Sequence, residues 1–257
     1  MATKKSARTS QPPVSPTPAA KAGTVAASEH RFARLKNGRT KTPLAPERVA
    51  AILVGLRRLY PGVVCALTHR NAFELVIATA LSAQTTDVNV NKVTPTLFKL
   101  YPTPKALAAA SLQEIEEIIR STGFYKSKAK NIQAAAKVLV EEFECKVPET
   151  IDELIRLPGV ARKTANVVLG SWFGIAAGVV VDTHVLRLSQ RLELTRHDEP
   201  VKVEQDLVKI LPQDRWIQFS HELIHHGRQV CVARKPRCAE CGIETLCNAV
   251  DKTWSSQ

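Results

Sequence analysis

The chain has 257 residues, of which 44% are hydrophobic and only 5% aromatic, and its net charge is +12. This length allows one large or two smaller domains with a sizeable core, and the abundance of Ala, Leu, Lys and Glu argues against an all-β fold. No apolar run approaches the roughly 18 residues that span a bilayer, so we expect no membrane contact. We expect no secretory signal either, because the N-terminus lacks an apolar stretch.

The positive charge is concentrated in an N-terminal tail, residues 1–43. Residues 1–45 contain nine Lys or Arg and one acidic residue, Glu29, which gives a net charge of +8. The tail has few large apolar residues, so burial cannot offset the entropy of ordering it, and we predict a disordered basic tail. A mitochondrial transit peptide is an alternative, although four prolines between residues 12 and 18 interrupt an amphipathic helix.

From Pro46 onward, apolar residues recur with the period of a helix and are separated by short polar turns. Asn71 is expected to cap an apolar helix that runs to Leu81, and Ser111 to begin a capping box. The Val179–Val181 run is too short for a sheet. We predict an all-α fold of about ten helices. The remaining helices are expected at Pro46, from Asp87 to about Tyr101, and over Lys126–Glu142, Thr150–Arg156, Arg162–Phe173, His184–Leu192, Val201–Leu211 and Trp216–Arg228.

The segment LPGVARKTA, residues 157–165, places a Pro-Gly turn directly before a helix. Backbone N–H groups at such a start, at the positive end of the helix dipole, suit a DNA phosphate, as in a helix-hairpin-helix motif. Lys163 falls in the first turn, where a cation is disfavoured, and this favours the neutral amine of a nucleophile. The alternative is a plain connection between two helices, with Lys163 on the solvated surface.

Asp182 follows three valines and precedes Thr183 and His184, at an expected helix start. It is either an ordinary N-cap or a carboxylate at a cleft edge that stabilises a developing cation, and the two interpretations are compatible because a cap fixes the side chain.

Two loops carry side chains suited to entering a duplex. In LSAQTTD, residues 81–87, Gln84 is long enough to reach base edges. In STGFY, residues 121–125, Phe124 is able to wedge into a base stack. The alternatives are a capped turn for the first loop and a core Phe124 for the second.

Four of the six cysteines lie within 17 residues, with the spacing C-x6-C-x2-C-x5-C. Thiolates suit zinc or iron–sulfur clusters, and the spacing favours a cluster over structural zinc or a disulfide pair. Clustered cysteines also indicate a reducing compartment. The basic residues between the first two cysteines suit an anionic partner, and Cys65 and Cys145 are expected to be core thiols. The four clustered cysteines are Cys231, Cys238, Cys241 and Cys247, and the basic residues are Arg234, Lys235 and Arg237.

Taken together, these motifs resemble the endonuclease III family of DNA glycosylase/AP lyases, from about Leu44 to Trp254. Four features occur in the family's order: LSAQTTD, LPGVARKTAN, VDTH and the cysteine quartet. The resemblance implies a two-domain helix-hairpin-helix DNA glycosylase fold. A six-helix domain would span residues 65–177, and a cluster domain would combine residues 44–64 with 178–257.

The resemblance also implies a base excision repair enzyme that excises oxidised pyrimidines from duplex DNA. Lys163 would form a Schiff base and Asp182 would be its partner carboxylate. The cysteine quartet would bind one 4Fe-4S cluster. Phe124 stands where the family more often has Leu, and Ala161 where it commonly has Gly. The expected DNA-binding residues are Gln84, Phe124, Gly159, Ala161, Arg162, Thr183, His184, Arg234, Lys235 and Arg237.

Two other functions compete. An adenine-mismatch glycosylase of the same superfamily would carry a catalytic glutamate where this chain has Thr79, and it would lack Lys163. A non-catalytic iron–sulfur DNA-binding module would not require Lys163 and Asp182. We expect a monomer that acts on damaged double-stranded DNA in the bacterial cytoplasm, with a mitochondrial or nuclear location as the alternative.

Overall fold

The computed structural model describes residues 42–254, so all but the last two residues of the predicted basic tail lie outside the described part. Residues 42–254 form eleven α-helices and no β-strand, which confirms the all-α prediction. Among them, no helix combines the length and the apolar content that a bilayer crossing requires. The helices are α1 (Pro46–Leu59), α2 (Ala72–Leu81), α3 (Asp87–Leu100), α4 (Pro104–Ala108), α5 (Leu112–Ile119), α6 (Tyr125–Glu142), α7 (Ile151–Leu154), α8 (Arg162–Val168), α9 (Thr183–Arg191), α10 (Pro200–Ile210) and α11 (Trp216–Gln229).

Local capping explains several helix starts, with one correction. The side chain of Asn71 accepts a hydrogen bond from the Glu74 N–H at 2.8 Å, as predicted. The capping box at Ser111 is wrong, because its side chain caps no N–H of α5. The carboxylate of Glu114, which would complete the box, instead accepts a hydrogen bond from the Tyr101 hydroxyl at 2.7 Å.

Three helices differ from the prediction. Helix α4 was not predicted, although Thr103 caps it and proline occupies its first position. The helix predicted over Thr150–Arg156 is the single turn α7. Its last carbonyls accept hydrogen bonds from the tight turn that leads into residues 157–160. The helix predicted over Arg162–Phe173 keeps α-geometry only to Val168, and a π-helical turn continues over Leu169–Phe173.

The described chain divides into two compact units. The first unit is residues 66–173, and the second unit combines residues 42–65 with residues 174–254. The resemblance to the endonuclease III family implies domain limits at residues 65 and 177. Both ends of the described chain therefore belong to the second unit.

Helix α2 is the central element of the first unit, and all its residues except Ala80 are buried. It packs against α3, α6 and α8. Its buried carboxylate, Glu74, is compensated by Arg70, whose backbone N–H and guanidinium donate to it at 2.7–2.9 Å. Because α2 leads directly into residues 82–86, a rigid core helix positions the loop that carries Gln84.

In the second unit, α1 and α9 pack on α11, and α10 packs on α9. A buried arginine, Arg48 of α1, ties distant parts of the unit together. Its guanidinium donates to the carbonyls of Pro43 at 2.6 Å, Leu192 at 2.8 Å and Leu246, the residue before the last cysteine of the quartet. The fully buried apolar side chains of this core include Leu56, Val185, Phe219 and Leu223.

Candidate functional site

The turn between α7 and α8 depends on Gly159. Its φ of +80° favours glycine, and a Cβ there would stand 3.0 Å from Cβ of Asn131. The N–H of Val160 closes the turn on the carbonyl of Leu157 at 3.0 Å. Ala161 is the N-cap residue of α8 in extended conformation, and no side chain caps this helix start. The hairpin therefore begins α8 without a capping side chain, and a helix start of this kind suits a phosphate.

Lys163 is the second residue of α8, and its side chain is exposed. Arg162 beside it is exposed as well. The opposite face of α8 is anchored in the core of the first unit, where Ala165 and Val168 are fully buried. The sequence therefore places an accessible amine on a helix turn whose position is fixed by the Gly159 turn before it and by the core below it.

Gln84 and Phe124 lie in two loops that line the same cavity, which also includes Gly159 and has a volume of about 220 Å³. Both residues have left-handed backbone, with φ of 54° for Gln84 and 47° for Phe124. The Phe124 side chain is 70% exposed, so it is not a core residue. The structure thus brings together three of the residues predicted to bind DNA, and it does so within the first unit.

Three cavity residues were missed by sequence reasoning: Ser127, Lys128 and Asn131, all on α6. Lys128 is 6% exposed, and its ammonium donates to the Thr122 carbonyl at 2.7 Å. Burial lowers the pKa of Lys128. Lys128 lies four residues after Phe124, but this spacing alone does not mark it as buried among the lysines of α6.

Asp182 is the N-cap of α9 in the second unit. Its Oδ1 accepts the backbone N–H groups of His184 and Val185, each at 2.8 Å. The preceding segment is buried, and the N–H of Val180 donates to the Ser220 hydroxyl at 3.1 Å. The N-cap interpretation is therefore correct for this carboxylate, and the cap fixes its orientation. Asp182 and Lys163 belong to different units, so each is positioned by the packing of its own unit.

His184 and Thr183 occupy the first turn of α9. Thr183 is exposed, whereas the ring of His184 is half-buried against Gly227 of α11. Burial lowers the pKa of His184, and nearby Arg187 contributes to the lowering, while Asp182 opposes it. The neutral imidazole is favoured here, which makes His184 a neutral hydrogen-bonding group beside the Asp182 cap.

The four clustered cysteines line one cavity in the second unit. They are the predicted metal ligands Cys231, Cys238, Cys241 and Cys247. As placed, no group of three or more His, Cys, Asp or Glu side chains in residues 42–254 meets the geometry of a site for a single metal ion.

The thiols fit a group that ligates several thiolates. Burial raises the pKa of Cys241 to about 12 and also raises that of Cys231 and Cys247. Such thiols ionise together only when cationic charge compensates them. Three sulfurs accept N–H donors: Cys231 from Arg191 at 3.3 Å, Cys247 from the Ala249 backbone at 3.4 Å and Cys241 from the Ile243 backbone. These N–H···S bonds are typical of protein-bound iron–sulfur clusters, so the donor set fits this kind of cofactor.

The segment between the first two cysteines carries the predicted basic residues on its surface. Arg234, Lys235 and Arg237 are all exposed, and Lys235 has a left-handed φ of 53°. Arg237 lies 3.5 Å from Glu240, and its N–H donates to the Val230 carbonyl at 3.0 Å. This basic segment is thus a tight loop with outward cations.

Helix α9 holds the same segment. The guanidinium of Arg191 donates to the carbonyls of Val232 at 2.8 Å and Ala233 at 3.1 Å, in addition to the Cys231 sulfur. Its terminal nitrogen also forms an ion pair with Asp251 at 2.5 Å. The basic segment is therefore fixed to the helix that Asp182 caps.

The prediction of core positions for the other two cysteines is wrong. Cys65 and Cys145 are both partly exposed. Cys145 follows the end of α6 in a turn where Glu144 and Cys145 both have positive φ, and its N–H donates to the Leu139 carbonyl at 2.8 Å. The turn carries the thiol away from the core that α6 helps to form.

Comparisons with known proteins agree on one family. The family model described as HhH-GPD superfamily base excision DNA repair protein matches residues 77–213. Endonuclease III of Synechocystis sp. is 57% identical over 201 residues, which cover 78% of this chain and 92% of that protein. A non-covalent endonuclease III–DNA complex superposes with a TM-score of 0.76 at 45% identity, covering 79% of this chain and 95% of the other. A trapped endonuclease III–DNA covalent intermediate, an estranged-adenine complex, has the same TM-score and coverage at 44% identity.

Proposed function

We propose that this chain removes oxidised pyrimidines from damaged duplex DNA, because it belongs to the endonuclease III family within the HhH-GPD superfamily of base excision DNA repair proteins. The chain is a DNA glycosylase and abasic-site lyase. The observation that carries the residue assignment is the exposed Lys163 on the first turn of α8, directly after the Gly159 hairpin turn.

The damaged nucleotide must leave the stack before its sugar can be attacked. The Lys163 amine then forms a bond to C1′ while the glycosidic C1′–N bond breaks, and the electron pair leaves with the base, which takes up a proton. The attached nitrogen then loses one proton, the C1′–O4′ bond breaks with O4′ taking up a proton, and a protonated Schiff base remains. Loss of a C2′ proton breaks the C3′–O bond and cuts the strand 3′ to the lesion. Water hydrolyses the imine and restores Lys163.

Asp182 is assigned to charge stabilisation. Positive charge develops at the sugar as the base departs, and a carboxylate in a fixed orientation offsets it without reorganising. The two backbone N–H bonds to its Oδ1 supply that fixed orientation.

Gln84 and Phe124 are assigned to the space left by the flipped nucleotide. Phe124 is an exposed aromatic side chain, able to stack on bases, and Gln84 is able to hydrogen-bond base edges. Their common cavity supports a joint role.

Backbone binding is assigned to three places in the chain. The uncapped hairpin at Gly159, Ala161 and Arg162 suits one phosphate. Thr183 and His184 add polar groups at the start of α9. The exposed cations Arg234, Lys235 and Arg237 supply attraction to phosphates that depends on salt.

A 4Fe-4S cluster is assigned to Cys231, Cys238, Cys241 and Cys247. The arrangement of the four thiols around a cavity suits a polynuclear cluster better than a single ion. When bound, the cluster would supply a rigid covalent cross-link to the segment that ends in the basic loop. Arg191 also holds the same segment, through the carbonyls of Val232 and Ala233.

We further propose that the enzyme acts as a monomer in the cytoplasm of a bacterial cell. The adenine-mismatch alternative is disfavoured by Thr79, which is 7% exposed and donates its hydroxyl to the Leu75 carbonyl at 2.7 Å. A hydroxyl engaged in this way cannot replace a glutamate as a proton donor.

Borohydride trapping tests the proposal. The protein is mixed with duplex DNA that contains thymine glycol, and borohydride reduces any Schiff base to a stable adduct. We expect an adduct with the unmodified protein and none with Lys163→Gln, while DNA binding persists in both. DNA binding by the unmodified protein without any adduct would favour the non-catalytic module instead.

A further inference from the structure

The two loops that carry Gln84 and Phe124 share one hydrogen-bond acceptor. The carbonyl of Thr122 accepts the Lys128 ammonium at 2.7 Å and the Thr85 hydroxyl at 2.8 Å. Thr85 follows Gln84 directly, and Thr122 lies two residues before Phe124. One carbonyl therefore connects the loop after α2, the loop before α6, and α6 itself.

A second pair of contacts, at the surface, joins the loop before α6 to the first turn of α3. The Asn89 side-chain amide donates to the Ser121 carbonyl at 2.8 Å, and the Ser121 hydroxyl donates to Oδ1 of Asn89 at 3.2 Å. These contacts are exposed to water, so each contributes less than a buried hydrogen bond to a charged group. The contact at Thr122 is the buried one of the two.

A buried lysine is unusual where a contact serves only to stabilise the fold. A buried ammonium costs desolvation energy, and a neutral side chain would fill the same space at lower cost. The contact with the Thr122 carbonyl is charge-assisted and therefore stronger than a contact between neutral groups. Lys128 also lines the cavity formed by Gln84 and Phe124. The charge is thus placed where the DNA-inserting residues meet.

The backbone of both loops requires such support. Gln84 and Phe124 have φ values of 54° and 47°, a region that side-chain-bearing residues adopt only when surrounding contacts determine it. Gly123, with φ of 67°, adds a second left-handed residue next to Phe124. Without an external tie, these loops would relax to more common conformations, and the two side chains would lose their shared position at the cavity.

We propose that Lys128 is a positioning residue which, through the Thr122 carbonyl, holds the loops of Gln84 and Phe124 in one fixed arrangement so that both side chains enter the duplex together. This inference rests on the proposed function, and it assigns the preorganisation of the inserting residues to α6. Lys128 does not touch the reacting sugar in this role. It acts through Thr122 and Thr85, so its loss should impair base flipping more than the chemistry at Lys163.

The test compares two substrates in single-turnover reactions with the full-length protein purified with its cluster. One duplex contains thymine glycol and the other a preformed abasic site, which has no base to unstack and depends least on the inserting residues. Lys128→Met removes the ammonium and keeps the length of the side chain. Lys130→Met is the matched control, because Lys130 is an exposed lysine on the same helix and the loss of charge is identical.

We expect Lys128→Met to slow thymine glycol excision at least about tenfold, and abasic-site cleavage by no more than about twofold. With 2-aminopurine placed opposite the lesion, its fluorescence increase on binding should also fall. Lys130→Met should leave the ratio of the two rates unchanged. Equal slowing of both reactions by Lys128→Met, or the same behaviour as Lys130→Met, would overturn the inference.

Thr85 provides an independent test through the same carbonyl, which remains informative if Lys128→Met folds poorly. Thr85→Val should lower the ratio of excision to abasic-site cleavage, and Thr85→Ser should restore it. An unchanged ratio in Thr85→Val contradicts the shared-acceptor arrangement. Borohydride trapping of the unmodified protein on abasic DNA is run alongside: absence of that adduct refutes the proposed function, and the inference with it, whereas an adduct with unchanged ratios refutes the inference alone.

Discussion

The imidazole ring of His184 packs directly against the Cα of Gly227. A Cβ on residue 227 would stand 2.8 Å from Nδ1 and 2.9 Å from Cβ of His184. The same Nδ1 lies 3.2 Å from the Arg187 guanidinium, which also donates to the carbonyls of Gly227 at 3.1 Å and Cys231 at 3.0 Å. His184 lies in the first turn of the helix that Asp182 caps. The close contact therefore joins the helix start that carries Asp182 to the segment that leads into Cys231.

Gly227→Ala should destabilise the protein by about 1–3 kcal/mol, because the added methyl group overpacks the His184 ring. Helix propensity alone would change stability in the opposite direction, since Ala is favoured over Gly in a helix interior by about 1 kcal/mol. Urea unfolding measures the net effect. In a double-mutant cycle, His184→Ala should relieve the part of the loss that the ring causes, whereas the contact with the retained Cβ of residue 184 remains. Additive effects of the two substitutions would show that the ring contact is not a cause of the loss.

Asp182→Asn should separate capping from catalysis. Asn caps helices as well as Asp does, so the free energy of unfolding should stay within about 0.5 kcal/mol of the unmodified value. Excision should nevertheless fall by about 10²-fold, because the negative charge that stabilises the developing cation is gone. Asp182→Ala is the comparison: it should lose the activity and about 1 kcal/mol of stability as well. Unchanged turnover in Asp182→Asn would refute the assigned role.

The motifs that sequence reasoning located share a short range of interaction. Asn71 and Asp182 contact backbone groups two or three residues away, and the Gly159 turn closes over Leu157 to Val160. Residue type and spacing determine such contacts, so the sequence predicts them well.

Long-range contacts escaped prediction for the complementary reason. Two of the carbonyls that hold Arg48 belong to Leu192 and Leu246, 144 and 198 residues away in the chain, and only the folded core brings them to the guanidinium. In the sequence, Lys128 is one of several lysines on α6, and nothing in its spacing distinguishes a buried ammonium from an exposed one. The packing of α6 against the two loops decides the difference.

Replacing Arg234, Lys235 and Arg237 with Gln should weaken DNA binding and reduce its dependence on salt. The slope of log K against log salt concentration is negative, and each phosphate contact that is lost should make it less steep by about 0.9. Fluorescence anisotropy over a series of salt concentrations gives this slope. Lys105→Gln, which removes an exposed charge from α4 in the first unit, serves as the control. A slope equal to that of the unmodified protein would show that the basic segment does not contact phosphates.

His221 should make the protein sensitive to acid. Burial lowers its pKa to about 4, and the neighbouring His225 adds to the lowering, whereas an unfolded chain would protonate it near pH 6.5. As the pH falls, His221 therefore takes up a proton in the unfolded state before it does so in the folded state. The stabilisation is fully present above pH 6.5 and is lost as the pH falls towards 4, by at most about 3 kcal/mol. His221→Gln cannot titrate, so its free energy of unfolding, measured with urea at pH values between 8 and 4.5, should fall less steeply than that of the unmodified protein. Parallel curves for the two proteins would show that His221 is protonated equally in both states.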